Sequence, residues 1–283
     1  MKIIRTVDEM VSLSKSVRKG GATIGFVPTM GFLHEGHLSL MRIAREKSDI
    51  LVVSIFVNPT QFGPNEDLDS YPRNFERDER LCASENVDIV FYPSKEDVYP
   101  RGFRTEIVVK ELSGILCGAS RPGHFAGVAT VVAKLFNIVR PDVAVFGQKD
   151  AQQAVIIKGM AADLNFGIDI IIAPIVREPD GLAMSSRNKY LSADERQAAP
   201  ALYRALSDAK SAVESGSLSN SSEVIEMIRD KILLAGDFRI DYIAVVDPGN
   251  LEEIDEFRAG DYLILLAAKI GSTRLIDNIL VSI

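Results

Sequence analysis

Ala22-Thr23-Ile24-Gly25-Phe26-Val27-Pro28-Thr29-Met30-Gly31-Phe32-Leu33-His34-Glu35-Gly36-His37 is the stretch that decides how this chain is read. The first six residues form an apolar run with the character of a buried strand. A Gly-containing turn follows and ends in two of the three histidines, and residues 38–47 continue with helical character. A strand feeding a helix start through a turn of this kind makes an anion site. The helix start presents N–H groups without intrahelical partners and the positive end of the dipole, and glycine lets a phosphate approach the backbone. The two imidazoles add donors at the same place. Spacing alone leaves an ordinary polar turn as an equal reading; the Pro-Thr-Met-Gly lead-in and Gly36 favour phosphate. The pair could also be half of a metal site, but there is no H-E-x-x-H and no Cys or His pair at zinc-finger spacing, so zinc would need distant ligands.

The flanking sequence repeats the strand–helix alternation. Thr6-Val7-Asp8-Glu9 is a capping box, and Gly20-Gly21 stops the helix it opens. Strands are expected over 22–28, 50–57, 88–92, 105–109, 143–146 and 168–172, and helices over 38–47, 72–86, 124–140 and 151–164. This predicts an α/β protein: a Rossmann-like parallel sheet with helices on both faces. Ligands in such sheets bind beyond the carboxyl ends of the strands, the position of the turns at 28–37, 58–63 and 147–150. After Val176 the pattern changes. A polar connection at 181–188 precedes a helix over 192–214, a Ser-rich loop, a helix over 223–234, and two strands, 241–246 and 262–267. The expected division is a domain over 1–176 and a smaller C-terminal α+β domain over 177–283.

Bulk properties bound the function. The chain has 283 residues, is 47% hydrophobic and 25% charged, and carries a net charge of −7, which argues against a general nucleic-acid binder. Its apolar runs are too short to span a bilayer. Two cysteines, Cys82 and Cys117, and an N-terminus without a signal-peptide pattern point to a reducing cytoplasm.

Three further segments carry candidate chemistry. Gly147-Gln148-Lys149-Asp150 lies where a strand gives way to a helix. A lysine there is unfavourable to the dipole, and a polyphosphate would give it a reason. Met184-Ser185-Ser186-Arg187 supplies two hydroxyls and a guanidinium suited to phosphate oxygens. Gln61 and Gln153 are neutral amides able to read the hydroxyls and carboxylate of a small polar substrate, though taken alone each reads better as a surface glutamine. Neither a G-x-x-x-x-G-K-[ST] loop nor a G-x-G-x-x-G after the first strand is present, so an ATP site here belongs to another class.

Taken in order, Pro28-Thr29-Met30-Gly31 running into His34-Glu35-Gly36-His37, Asn58-Pro59-Thr60-Gln61-Phe62-Gly63, Tyr71-Pro72-Arg73, Arg121-Pro122-Gly123-His124-Phe125, Gly147-Gln148-Lys149-Asp150-Ala151-Gln152-Gln153 and Gly181 to Asn188 resemble the pantothenate synthetase (pantoate–β-alanine ligase) family over nearly the whole chain. His34-Glu35-Gly36-His37 also resembles the H-x-G-H element of class I aminoacyl-tRNA synthetases and nucleotidylyltransferases. The resemblance implies a two-step ligation: pantoate and ATP give pantoyl adenylate and pyrophosphate, and the amine of β-alanine then displaces AMP to give pantothenate. It also implies a C-terminal lid, a Mg²⁺ requirement and a homodimer. Carried over by residue, it places ATP along Met30, Gly31, Phe32, Leu33, His34, Glu35, Gly36 and His37, then Gly147, Gln148, Lys149, Asp150, Val176, Met184, Ser185, Ser186 and Arg187. It assigns catalysis to His37, His34, Lys149 and Arg187, and pantoate to Gln61 and Gln153. It assigns no metal ligand. Thr60 and Ala151 stand where some relatives carry Met and Tyr, and Cys117 where some carry Glu; no role is assigned to Cys117. The rivals are a nucleotidylyltransferase, which would need a second anion site for a phosphorylated substrate, and a non-catalytic nucleotide-binding module.

Overall fold

The computed structural model describes residues 1–64 and 66–283. The chain divides into two compact units, one of residues 1–147 and 156–174, the other of residues 148–155 and 175–283.

The first unit contains, in order, β1 (Lys2–Ile4), α1 (Val7–Lys19), β2 (Ile24–Thr29), α2 (Glu35–Glu46), β3 (Ile50–Ile55), α3 (Phe75–Ser84), β4 (Ile89–Phe91), the short helices α4 (Lys95–Val98) and α5 (Cys117–Ser120), α6 (His124–Val139), β5 (Val143–Gly147), α7 (Ala151–Asp163) and β6 (Asp169–Ala173). The residues of α7 up to Val155 group with the second unit. The strands form one sheet in the order β1-β4-β3-β2-β5-β6, every adjacent pair parallel. From β2 the chain adds strands on one side (β3, β4) and then on the other (β5, β6). The order therefore reverses between β2 and β5, the switch point at which such sheets open a crevice beyond their carboxyl ends.

Alternation along the strands builds two cores, one on each face. Phe26, Val52, Ala144 and Phe146 point to one core with α1 and α6 residues such as Met10 and Phe136. Val27, Leu51, Val53 and Val145 point to the other with Met41 and Ala44 of α2 and Cys82 of α3. Thr6 caps α1, its Oγ1 accepting the Glu9 N–H at 3.4 Å.

No strand forms over 105–109, contrary to expectation. Ile107 and Val109 pack on the first core, and the Ile107 N–H donates to Thr130 Oγ1 at 2.8 Å. The β-type composition there reports a half-buried surface, not a ladder.

The second unit contains α8 (Ala193–Ala198), α9 (Ala201–Glu214), α10 (Ser221–Ala235), β7 (Phe238–Val246), β8 (Asp261–Ile270) and β9 (Thr273–Ser282). The helix expected over 192–214 is two helices broken at Ala199-Pro200, since Pro200 has no N–H to continue the ladder. The three strands form an antiparallel sheet in the order β7-β8-β9. Its apolar face packs on α9 and α10 through Leu202, Leu206, Ile228, Ile264 and Leu266. The sequence reading found two of these strands and missed β9, which carries Asp277 and Asn278 in its middle. Among the described residues no helix is long and apolar enough to cross a membrane.

Candidate active site

In the first unit the site begins where β2 ends. Thr29 Oγ1 donates to the Ser54 carbonyl at 2.8 Å and accepts the Gly31 N–H at 3.1 Å. Gly31 and Phe32 are both left-handed, with φ of 82° and 52°. A Cβ on Gly31 would lie 2.9 Å from Ile55 Cγ2 and 3.0 Å from Asp78 Oδ2, so the turn needs glycine for both conformation and space. Asp78, from α3, is buried and takes the N–H of Phe32 at 2.7 Å and of Leu33 at 2.8 Å. Arg77 donates to the Leu33 carbonyl at 2.7 Å. Burial pushes the Asp78 carboxyl above its ordinary value, against the pull of those N–H donors and of Arg77. Leu33 is itself buried, and its N–H and carbonyl are both taken, so it anchors the turn.

The helix expected to begin at residue 38 begins at Glu35, with His34 as its N-cap and His37 in its first turn. The His34 N–H donates to His37 Nδ1 at 3.3 Å, and the two rings lie 4.1 Å apart between centroids. The back-bond from the third helical position to the cap does what Glu or Gln does in a capping box. It also fixes the tautomer: Nδ1 accepts, so the neutral ring carries its proton on Nε2.

Gln61 lies in the turn after β3, and its orientation is dictated by its neighbours. Asn58, 1% exposed, donates from Nδ2 to the Gly127 carbonyl at 3.1 Å and to Gln61 Oε1 at 3.1 Å. Its Oδ1 accepts from Tyr99 and Thr60 hydroxyls, each at 2.9 Å. A carbonyl requires a donor, so the Asn58 amide has one orientation. The Gln61 carbonyl oxygen is then occupied, and its NH₂ donates to Met30 Sδ at 3.1 Å. The candidate pantoate residue and a candidate ATP residue thus come together in one unit. The third histidine holds the turn from behind: His124 Nδ1 lies 2.8 Å from the Gln61 backbone carbonyl, while Arg121 reaches His124 Nε2 at 3.0 Å and Glu66 at 2.7 and 2.5 Å. Burial works against the Glu66 carboxylate, and the Arg121 guanidinium outweighs it, holding the group below its ordinary value. Helix α6 approaches so closely that a Cβ on Gly127 would sit 2.4 Å from the Thr60 carbonyl oxygen.

Gly147 ends β5 in the first unit, and the other candidates fall in the second unit. Gln148–Asp150 is a 3-10 turn before α7, with Lys149 Nζ 3.6 Å from Asp150 Oδ1. Gln153 is half-buried on the first turn of α7. Val176 and Met184 are joined by the Met184 N–H to the Val176 carbonyl at 3.0 Å, next to an antiparallel bridge between Arg177 and Ala183. Ser185 caps the 3-10 helix Ser186–Tyr190, its Oγ accepting the Arg187 N–H at 3.2 Å. Ser185, Ser186 and Arg187 are half-buried.

Sequence reasoning missed Asn58, Asp78, Asp277 and Asn278. Asn58 had a weak signal as the Asn-Pro cap after a strand. Asp78 had a better one, since it falls on the same helix face as Phe75 and Cys82, where a carboxylate is out of place.

A doubly wound parallel sheet whose switch-point strand runs into a histidine-bearing helix start defines an α/β protein built to hold an anion beyond its strand ends. The chain belongs to the pantoate-beta-alanine ligase family, whose model matches residues 2–280. The pantothenate synthetase of Caldicellulosiruptor saccharolyticus is 56% identical over 283 residues, covering 100% of both chains. The crystal structure of pantothenate synthetase from Thermus thermophilus matches with a TM-score of 0.92 at 43% identity, covering 99% of each chain. That of the pantoate-beta-alanine ligase from Francisella tularensis, complexed with beta-gamma ATP and beta-alanine, matches with a TM-score of 0.81 at 39% identity, covering 99% of this chain and 97% of the other. The chain is therefore an enzyme of this ligase family, and the fold class expected from the sequence is the one found.

Proposed function

We infer that this chain joins (R)-pantoate to β-alanine in two steps with ATP. A pantoate carboxylate oxygen attacks the α-phosphorus, the bond to the bridging oxygen breaks, and pyrophosphate leaves. The β-alanine amine then attacks the acyl carbon of pantoyl adenylate; the C–N bond forms, AMP leaves, and the amine proton passes to solvent. The reactants are anions, so catalysis rests on positioning and on donors aimed at developing charge.

The observation that carries the reading is the fixed amide of Gln61. With Oε1 held by Asn58, the side chain presents a neutral N–H donor beside Met30. Such a donor orients a carboxylate without neutralising it, whereas a bidentate arginine would weaken the nucleophile. Gln153 is the second pantoate residue in this reading. His37 Nε2–H and His34 act on the phosphates at the α2 helix start, with Lys149 and Arg187 as the cations and Ser185 and Ser186 as hydroxyl donors. In this reading residues 30–37 of the first unit are ATP residues, Leu33 contributing through the turn it anchors, and residues 147–150, Val176 and 184–187 are assigned to ATP as well. A nucleotidylyltransferase acting on a phosphorylated substrate would want a cation where Gln61 stands.

Among the described residues no group of three or more His, Cys, Asp or Glu side chains is gathered for a metal. Mg²⁺ ordinarily rests on substrate phosphates with one or two carboxylates. The exposed Asp150 beside Lys149 fits that role, for an ion that neutralises phosphate charge when bound.

We further take residues 1–176 as the ATP and pantoate domain and 177–283 as a lid, the enzyme being a cytoplasmic homodimer. The unit break at 174/175 supports the boundary, while residues 148–155 group with the second unit. Pantoate labelled with ¹⁸O in its carboxylate tests the chemistry: one label should appear in AMP, and unlabelled AMP would refute the adenylate.

A further inference from the structure

Strand β9 holds two consecutive polar residues that are both buried, Asp277 at 3% and Asn278 at 2% exposure, their side chains on opposite faces of the strand. Each is committed to a different candidate phosphate segment of that unit. The Asn278 carboxamide serves the Lys149 turn: Nδ2 donates to the Gln148 carbonyl at 2.9 Å and to the Lys149 carbonyl at 3.1 Å, and Oδ1 accepts from Gln148 Nε2 at 3.1 Å. The carboxylate of Asp277 takes Arg177 with both oxygens, at 2.7 and 2.9 Å. Arg177 in turn donates to the Gly181 carbonyl at 3.1 Å and lies 3.7 Å from the centre of the Tyr203 ring. It also belongs to the bridge with Ala183 from which Met184 to Arg187 emerge.

Buried amides and carboxylates are kept only where their hydrogen bonds are satisfied, and a satisfied network selects one backbone arrangement. Asn278 binds backbone carbonyls, which no change of the lysine side chain can replace. It is 129 residues from Lys149 in the chain, so this placement comes from the fold of the second unit and not from the local turn.

We propose that Asn278 is a positioning residue for Lys149, and that Asp277 does the same through Arg177 for the segment carrying Arg187, so that β9 sets both cations in one frame. The proposal rests on the reading of Lys149 and Arg187 as phosphate cations. A misplacement of about 1 Å can cost as much as 10²-fold in rate. Asn278 therefore acts on the chemical step through Lys149 and leaves pantoate affinity largely alone.

A double-mutant cycle in the full-length enzyme tests this, reading single-turnover pantoyl-adenylate formation, the KM values for ATP and pantoate, and the melting midpoint. Asn278→Ala should slow adenylate formation by about 10- to 100-fold when Lys149 is present, with pantoate KM within about threefold. In a Lys149→Ala background the same change should cost less than about threefold, because the group it positions is gone. Equal losses in both backgrounds would overturn the proposal and leave Asn278 a structural residue. If Lys149→Ala alone leaves the rate unchanged, the reading of Lys149 fails first, and the proposal with it. Should Asn278→Ala not fold, Asn278→Ser, which keeps one donor, replaces it in the cycle under the same two criteria.

Discussion

The Nδ1 atom of His37 accepts the backbone N–H of His34 at 3.3 Å. One bond thereby does two things: it satisfies a donor at the start of α2 and leaves Nε2–H as the donor of the neutral ring. His37→Ala should slow pantoyl-adenylate formation by about 10²–10³-fold in single-turnover assays, the usual loss for a donor aimed at developing charge. His37→Gln separates the roles. Glutamine at this helix position can reach back to the cap N–H, so the melting midpoint should stay near wild type while the rate remains low. A His37→Gln enzyme of normal rate would show that the imidazole only caps the helix.

Asp78 fixes the turn ahead of the histidines, with one oxygen for each of two N–H groups. In Asp78→Asn one carboxylate oxygen becomes an NH₂ facing an N–H donor. Leaving a buried donor without an acceptor costs about 1–3 kcal/mol, so denaturant titration should show a loss of that size. The ATP KM should rise by about tenfold, which corresponds to 1.36 kcal/mol of lost binding. Unchanged stability together with unchanged ATP KM would show that the latch does not matter.

Gln61 makes a lopsided prediction. Gln61→Ala should weaken pantoate binding by about tenfold or more and ATP binding by less than about threefold, measured separately by calorimetry, since a hydrogen bond to a charged group is worth roughly 1.5–3 kcal/mol. Gln61→Glu should be worse, because Asn58 would still hold one oxygen and the other would face the pantoate carboxylate. Equal losses for both ligands would count against a pantoate role.

Cys82 tests the interior of α3. Burial, with Asp78 and Glu79 nearby, pushes its thiol from 9.0 up to about 12. The folded value lies above the unfolded one, so the contribution is complete below the unfolded value and is lost as pH rises toward about 12. Stability should therefore fall more steeply above about pH 9 in the wild type than in Cys82→Ala. Parallel pH profiles from denaturant titrations of the two proteins would contradict this.

The parallel sheet was legible because its strands are short apolar runs bounded by turn residues, as over 50–57, where β3 forms. The histidine turn was legible because Gly31 and Gly36 interrupt a strand-to-helix transition. Legibility ended where side chains serve distant backbone. Locally Asn58 shows only as the Asn-Pro cap after a strand; its bonds to Gly127 and Tyr99, far along the chain, leave no mark in the sequence around it. Strand β9 was missed for the same reason. Asp277 and Asn278 break its apolar pattern, and they do so because Arg177 and the 148–149 backbone occupy their polar atoms. The segment 105–109 shows the converse: its β-type composition reports a half-buried surface and forms no ladder.

Pantoate-dependent exchange of labelled pyrophosphate into ATP, run with and without β-alanine, tests the central claim most directly. The account predicts exchange that requires pantoate and proceeds without β-alanine, because the adenylate forms before the amine takes part. Exchange independent of pantoate, or exchange that appears only when β-alanine is present, would contradict it.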